Sequence, residues 1–125
     1  MRETATAQIT LSEQGILIVR IREGARQLPA HARENLAATI AEGAGQRRPL
    51  LVDITGSQPL DADTRHLYSG EAMHSSFTAL GLLVQANPLG RMMGNVYFRV
   101  ARPGIPTRLF TDEARAIEWL RESLP

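Results

Sequence analysis

The residues best equipped for chemistry cluster between positions 53 and 65, in the run DITGSQPLDADTR. It holds three carboxylates (Asp53, Asp61, Asp63), three hydroxyls (Thr55, Ser57, Thr64) and one guanidinium (Arg65). A hydroxyl beside a carboxylate offers two chemistries: a nucleophile, or an acceptor for a phosphoryl group. A nucleophile needs a positioned base, and this run offers no histidine. Ser57 also lacks the glycine-serine-glycine context of a strained nucleophile elbow. Asp53 ends the apolar run PLLVDI, at the strand end where α/β proteins often place functional groups. The alternative for Asp53 is local hydrogen bonding in the following loop.

Metal and thiol chemistry find little support. The chain has no cysteine, which excludes disulfides, thiolate nucleophiles and cysteine-based metal sites. His31, His66 and His74 show no H-E-x-x-H spacing. On a continuous helix His66 and His74 would lie two turns apart, too far for one ion. The expectation is a protein without enzymatic activity, metal or cofactor.

Two further sets suggest binding. Asn87 and Arg91 sit at the start of a predicted helix, where backbone N–H groups and an arginine can take an anion. Arg99 and Arg102 fall toward the other end of that helix, and Arg108 follows on the next strand. Met73, Met92, Met93 and Tyr97 offer an apolar face for a small ligand, or alternatively core or dimer contacts. Trp119 lies off the main stripe of the last helix and is a candidate interface anchor.

The elements that must position these groups are legible. With 125 residues the chain is expected to form one domain, residues 1–125. Lys+Arg 14 against Asp+Glu 13 leaves a net charge of +1, which argues against nucleic acid as a partner. Every cation is arginine, from compositional bias or for bidentate anion contacts. The start, MRETATAQIT, has no apolar signal region, and no apolar run approaches the ~20 residues of a membrane span. A soluble, cytoplasmic protein is expected.

Residues 7–11 and 15–22 read as a hairpin turning at Gly15, with Arg20 an odd polar residue beside Ile16 and Ile18. Pro29 opens a helix whose predicted inner stripe is Leu36, Ala37, Ile40, Ala41 and Ala44, stopped by Gly43 and Gly45. Residues 49–54 form a continuous apolar strand, as expected when both faces are covered. Asp61 caps the next helix, with Thr64, Leu67, Tyr68 and Ala72 inward and a break between Gly70 and Ser76. Residues 77–85 form another central strand. The helix from Pro88 to Ala101 carries Gly90 and Gly94 four apart, which favours a close approach to a neighbouring element. A short strand at 107–110 precedes a helix capped by Thr111 and buried through Ala116, Ile117, Leu120 and Leu124. The order ββαβαβαβα predicts an α/β fold: a mixed sheet of about five strands with about four helices, on one or both faces.

That order, with the segment LLVDITGSQPLDADTRHL, resembles the STAS domain, the fold of bacterial anti-sigma factor antagonists. The Asp-hydrophobic-Ser/Thr-Gly step of that family is matched by Asp53-Ile54-Thr55-Gly56. The likeness extends over residues 16–120, and the block from Asn87 onward is closer to small bacterial STAS-like proteins than to the antagonists. In the family an aspartate precedes a Ser-Ser-Gly or Ser-Thr-Gly at a helix start, and a partner kinase phosphorylates one hydroxyl. Here those positions read Asp61-Ala62-Asp63-Thr64, so the usual acceptor is missing. Asp63 then either mimics a constant phosphate or serves the helix dipole alone. The resemblance implies a non-enzymatic regulatory module that meets a protein partner through Thr55, Gly56, Ser57, Asp61, Asp63, Thr64 and Arg65. It is expected to form a homodimer. The competing reading is a small-ligand binder for an anion at Asn87 and Arg91, or for an apolar molecule near Met92 and Met93.

Overall fold

The computed structural model describes residues 1–68, 71–101 and 104–124. A six-stranded sheet carries its strands in chain order: β1 (Arg2–Glu3), β2 (Ala7–Leu11), β3 (Leu17–Ile21), β4 (Arg48–Asp53), β5 (Phe77–Leu83) and β6 (Thr107–Phe110). The first three strands pair antiparallel, and β3 through β6 run parallel. Between them lie α1 (Pro29–Glu42), α2 (Ala62–Leu67), α3 (Glu71–Ser76) and α4 (Pro88–Ala101), and α5 (Glu113–Arg121) follows. Among the described residues there are thus six strands and five helices, where five and four were expected. The added strand is two residues long and has no apolar pattern to announce it. The added helix arises because one predicted helix is two short ones, α2 and α3.

The β2–β3 turn follows its sequence signal. Gly15 takes φ 96°, and its N–H donates to the Ser12 carbonyl at 2.9 Å. The four parallel strands stand in sequence order, and right-handed crossovers then carry the intervening helices over one face. On that face Val19, Leu50, Leu80 and Leu82 meet Leu36 of α1, Tyr68 after α2 and Met73 of α3. On the other, Leu51, Ala79 and Leu83 bury Ala116 and Leu120 of α5. The strand β4 is thus covered on both sides, which explains its unbroken apolar run.

Two expectations need correction. The inner stripe of α1 is Ala32, Asn35 and Thr39, with Leu36 half-buried beside them. Ala37, Ala41 and Ala44 are exposed, and Ile40 is 42% exposed. The reason is a buried polar network. Asn35 Nδ2 donates to Thr6 Oγ1 (2.8 Å) and Gln27 Oε1 (3.2 Å), while Thr4 Oγ1 donates to Asn35 Oδ1 at 2.5 Å. These bonds fix the rotation of α1 against its apolar pattern. The second correction is the cap of α5. Asp112, not Thr111, accepts from the N–H groups of Ala114 (2.9 Å) and Arg115 (3.4 Å). Among the described residues no helix is long and apolar enough to cross a membrane.

Candidate functional site

Beneath α1, α2 and α4 lies a cavity of about 250 Å³. Its floor is the sheet, through Val19, Ile21, Leu50, Val52, Leu80 and Leu82. Its roof is Met92, Met93 and Val96 of α4, with Met73 of α3 at the side. One wall is the loop after β4: Ser57, Pro59 and Leu60, continued by Arg65 and Tyr68. The remaining wall is polar, built from Gln27, Asn35 and Thr39.

Two features of the sequence keep this space open. The first is the rotation of α1, which turns Asn35 and Thr39 toward the sheet in place of larger apolar side chains. The Thr39 hydroxyl bonds back to its own helix, at the Asn35 carbonyl (2.6 Å). The second is the seating of α4. A Cβ on Gly94 would stand 2.3 Å from Leu109 Cδ2, and one on Gly90 would stand 2.4 Å from the Gln85 carbonyl. The helix therefore rests with its glycines on β6 and on the loop that follows β5, while its methionines overhang the floor. The expected close approach at Gly90 and Gly94 is present, and it is helix against sheet and loop.

The 53–65 segment is built from short-range bonds. Asp53 Oδ1 accepts from Thr55 N (2.9 Å) and Thr55 Oγ1 (2.7 Å), which folds the chain sharply after β4. Asp53 Oδ2 accepts from Arg20 Nη1 at 3.1 Å. Arg20 also forks onto Glu113 of α5 (2.6 and 3.0 Å), tying β3, β4 and α5 together. Its pKa is raised, first by the Glu113 hydrogen bond. The odd polar residue of β3 is thus explained by an ion cluster, and Asp53 acts in local structure. Gly56 lies against Glu23, whose Cα stands 3.0 Å from where a Cβ would be, and its carbonyl accepts from Gly24 N at 2.7 Å. The Ser57 hydroxyl donates to the Gln58 carbonyl (2.8 Å). Gln85 Nε2 donates to the Thr55 carbonyl.

Asp61 caps α2 as expected, its Oδ1 accepting from Thr64 N at 2.9 Å. That hydrogen bond holds its carboxyl below the usual range, with Arg26 and Arg65 adding a smaller pull. Asp61 and Asp63 are exposed on the outer side. Thr64 departs from the expected contact surface. It is fully buried, and its hydroxyl lies 3.4 Å from the Gln27 carbonyl, because a residue three after the cap faces inward. Arg65 turns from the surface toward the cavity. Its Nη1 donates to the Leu60 carbonyl at 2.5 Å, and its Nε is buried with no hydrogen-bond partner among the described residues. The Tyr68 hydroxyl donates to Gln27 Oε1 at 2.6 Å, and burial pushes its pKa up to about 12.

The expected anion pair is not assembled. The Asn87 amide is occupied at both ends: Oδ1 accepts from Gly90 N (2.7 Å), and Nδ2 donates to Gln85 Oε1 (2.9 Å). Its role is the cap of α4. Arg91 is exposed and lines a wider, more open depression with Asn95, Phe110 and Thr111. Arg108 lies over the Phe110 ring, 5.5 Å from its centroid, on a different side chain from the expected cluster. Arg102 and the side chains of Tyr97 and Arg99 lie outside the described residues. Trp119 is half-buried and tilts onto Phe110 at 5.6 Å, so it serves the packing of α5. The structure does bring Met73, Met92 and Met93 together around one space. The sequence reading missed the polar wall, whose partners lie far apart in the chain. The signal available for it was the interruption of α1 by Asn35 and Thr39.

Residues 9–124 match the model of a domain of unknown function, DUF7793, and the chain belongs to that family. No curated protein matches it. Among solved structures it is similar to a protein of unknown function from Arthrobacter sp. FB24, whose crystal structure was determined at 2.20 Å resolution. That likeness has 24% identity over 94% of this chain and 96% of the other, with a TM-score of 0.36.

Proposed function

We propose that this DUF7793 chain is a non-enzymatic, STAS-like binding module of the cytoplasm whose ligand is a small apolar molecule held beneath α2 and α4. The observation that carries this reading is the cavity. A concave space of about 250 Å³ whose walls are mainly apolar, with a few polar groups converging from one side, has the form of a small-molecule site. A molecule that fills the space stabilises the fold by the contacts it makes. The hydroxyls of the segment support a binding role over a catalytic one, since Thr55 and Ser57 are each engaged in a local bond. The test is calorimetric titration with 1-octanol on the native chain and on Thr39→Phe. That substitution fills the space and removes only a bond within α1. Saturable binding to the native chain, lost in Thr39→Phe, is the expected result. No saturable binding to the native chain refutes the reading.

The outer side of the same segment supports a second role. Asp61 and Asp63 face solvent at the start of α2, while Ser57, Leu60 and Arg65 line the cavity from within. One short stretch of chain therefore meets both ligand and solvent, an arrangement suited to passing ligand occupancy to a protein partner. Asp63→Arg is expected to abolish capture of that partner from the native host without changing octanol binding. Unchanged capture sinks the partner surface and leaves the cavity reading standing. A homodimer remains part of this proposal, supported by the exposed line of Ala37, Ile40 and Ala41 on α1.

A further inference from the structure

We infer that the molecule held in the cavity is a monocarboxylic acid, with its apolar body on the sheet and its carboxylate on Arg65. This rests on the ligand-binding reading above and adds the head group. Among the described lining residues Arg65 carries the one formal charge, and no Asp or Glu is present. Arg65 also forms no ion pair among the described residues. Its Nη1 is taken by the Leu60 carbonyl, which leaves the Nε–Nη2 edge of the guanidinium for an acceptor. The Nε on that edge is buried and lacks one. A buried donor with no acceptor is costly, and a carboxylate approaching side-on satisfies the edge with two parallel charge-assisted bonds.

Other head groups fit less well. An alcohol offers one oxygen and no charge. An amine sets a second cation beside Arg65. A phosphate dianion brings two charges to a single guanidinium among apolar walls, with the excess unpaired. The size of the acid follows from the volume. A cavity of ~150 Å³ accepts benzene, so one of about 250 Å³ takes on the order of ten non-hydrogen atoms. Octanoate has that size, and 1-octanol matches it without the charge.

The experiment is titration of the native chain with octanoate, 1-octanol and octylamine at neutral pH, repeated with Arg65→Met. Octanoate is expected to bind on the order of tenfold to a hundredfold tighter than 1-octanol, as for hydrogen bonds to a charged group. Octylamine is expected to bind more weakly than 1-octanol. In Arg65→Met the advantage of octanoate over 1-octanol disappears. If 1-octanol binds and octanoate binds no tighter, the head-group assignment is overturned and the cavity reading survives. If none of the three binds, both fail. Should Arg65→Met not fold, the order of the three ligands on the native chain decides alone, and octylamine binding as well as octanoate overturns the assignment.

Discussion

Replacing Asn35 with leucine tests why α1 faces the sheet with a polar stripe. By composition the change favours the core, because it adds an apolar side chain beside the cavity. A buried leucine contributes about 1.5–3 kcal/mol over an exposed one, and the gain here is at the low end since the space is only partly filled. Against this stand three hydrogen bonds of a side chain that is 2% exposed. Gln27 Oε1 keeps the Tyr68 hydroxyl, and Thr4 Oγ1 keeps its bond from Ala7 N. Thr6 Oγ1, on a residue 5% exposed, loses its donor, at a cost of about 1–3 kcal/mol. The two other lost bonds add about 1 kcal/mol each. The net is a loss of roughly 2 kcal/mol. For a chain of this length that lowers the melting temperature by roughly 5–10 °C. Urea unfolding followed by circular dichroism reads it, with an unchanged slope showing that compactness is kept. A higher urea midpoint for Asn35→Leu would refute the claim that the polar network sets the rotation of α1.

The two glycines of α4 are expected to respond unequally to alanine. Alanine favours a helix by about 1 kcal/mol. At Gly94 it meets the Leu109 side chain, which can shift, so Gly94→Ala costs roughly 1–2 kcal/mol net. At Gly90 it meets the Gln85 backbone, which cannot, so Gly90→Ala is the more destabilising of the two, and equal urea midpoints would contradict this seating of α4. Tyr68 makes stability fall at alkaline pH. Its phenol is protonated in the fold, so the contribution is complete below its ordinary value of 10.0 and is lost as pH rises through about 12. The loss is at most about 3 kcal/mol, and Tyr68→Phe flattens urea midpoints compared between about pH 9 and pH 11.5. Ile40→Glu on the outer face of α1 is expected to shift a homodimer toward monomer in sedimentation while leaving the circular dichroism of the folded chain unchanged, and an unchanged sedimentation coefficient would sink this dimer face.

What the sequence made legible was whatever depends on neighbours in the chain. The Gly15 turn, the Asp61 cap and the doubly covered β4 all follow from local residue types. The gathering of Met73, Met92 and Met93 was legible as an apolar face, though its concavity was not. That concavity depends on Asn35 reaching Thr6 and Gln27, and on Gly94 meeting Leu109, contacts no periodicity encodes. Periodicity placed Leu36, Ala37, Ile40, Ala41 and Ala44 inward; Leu36 does pack on the core, while the long-range polar bonds leave the other four exposed. Asn87 read as an anion ligand because a cap and an anion site use the same group. Arg65 read as a surface residue because a six-residue helix gives too little pattern to decide which face an arginine takes.

The strands stand in the sheet in the order in which they are synthesised. Each new strand therefore has its neighbour already made when it leaves the ribosome. The floor at β3, β4 and β5 is complete before Pro88 appears, whereas the methionine roof arrives afterwards. A nascent chain halted between the two bears an apolar surface with no cover from α4. At that stage solvent, or a chaperone, has free access to a surface the finished protein covers with a helix.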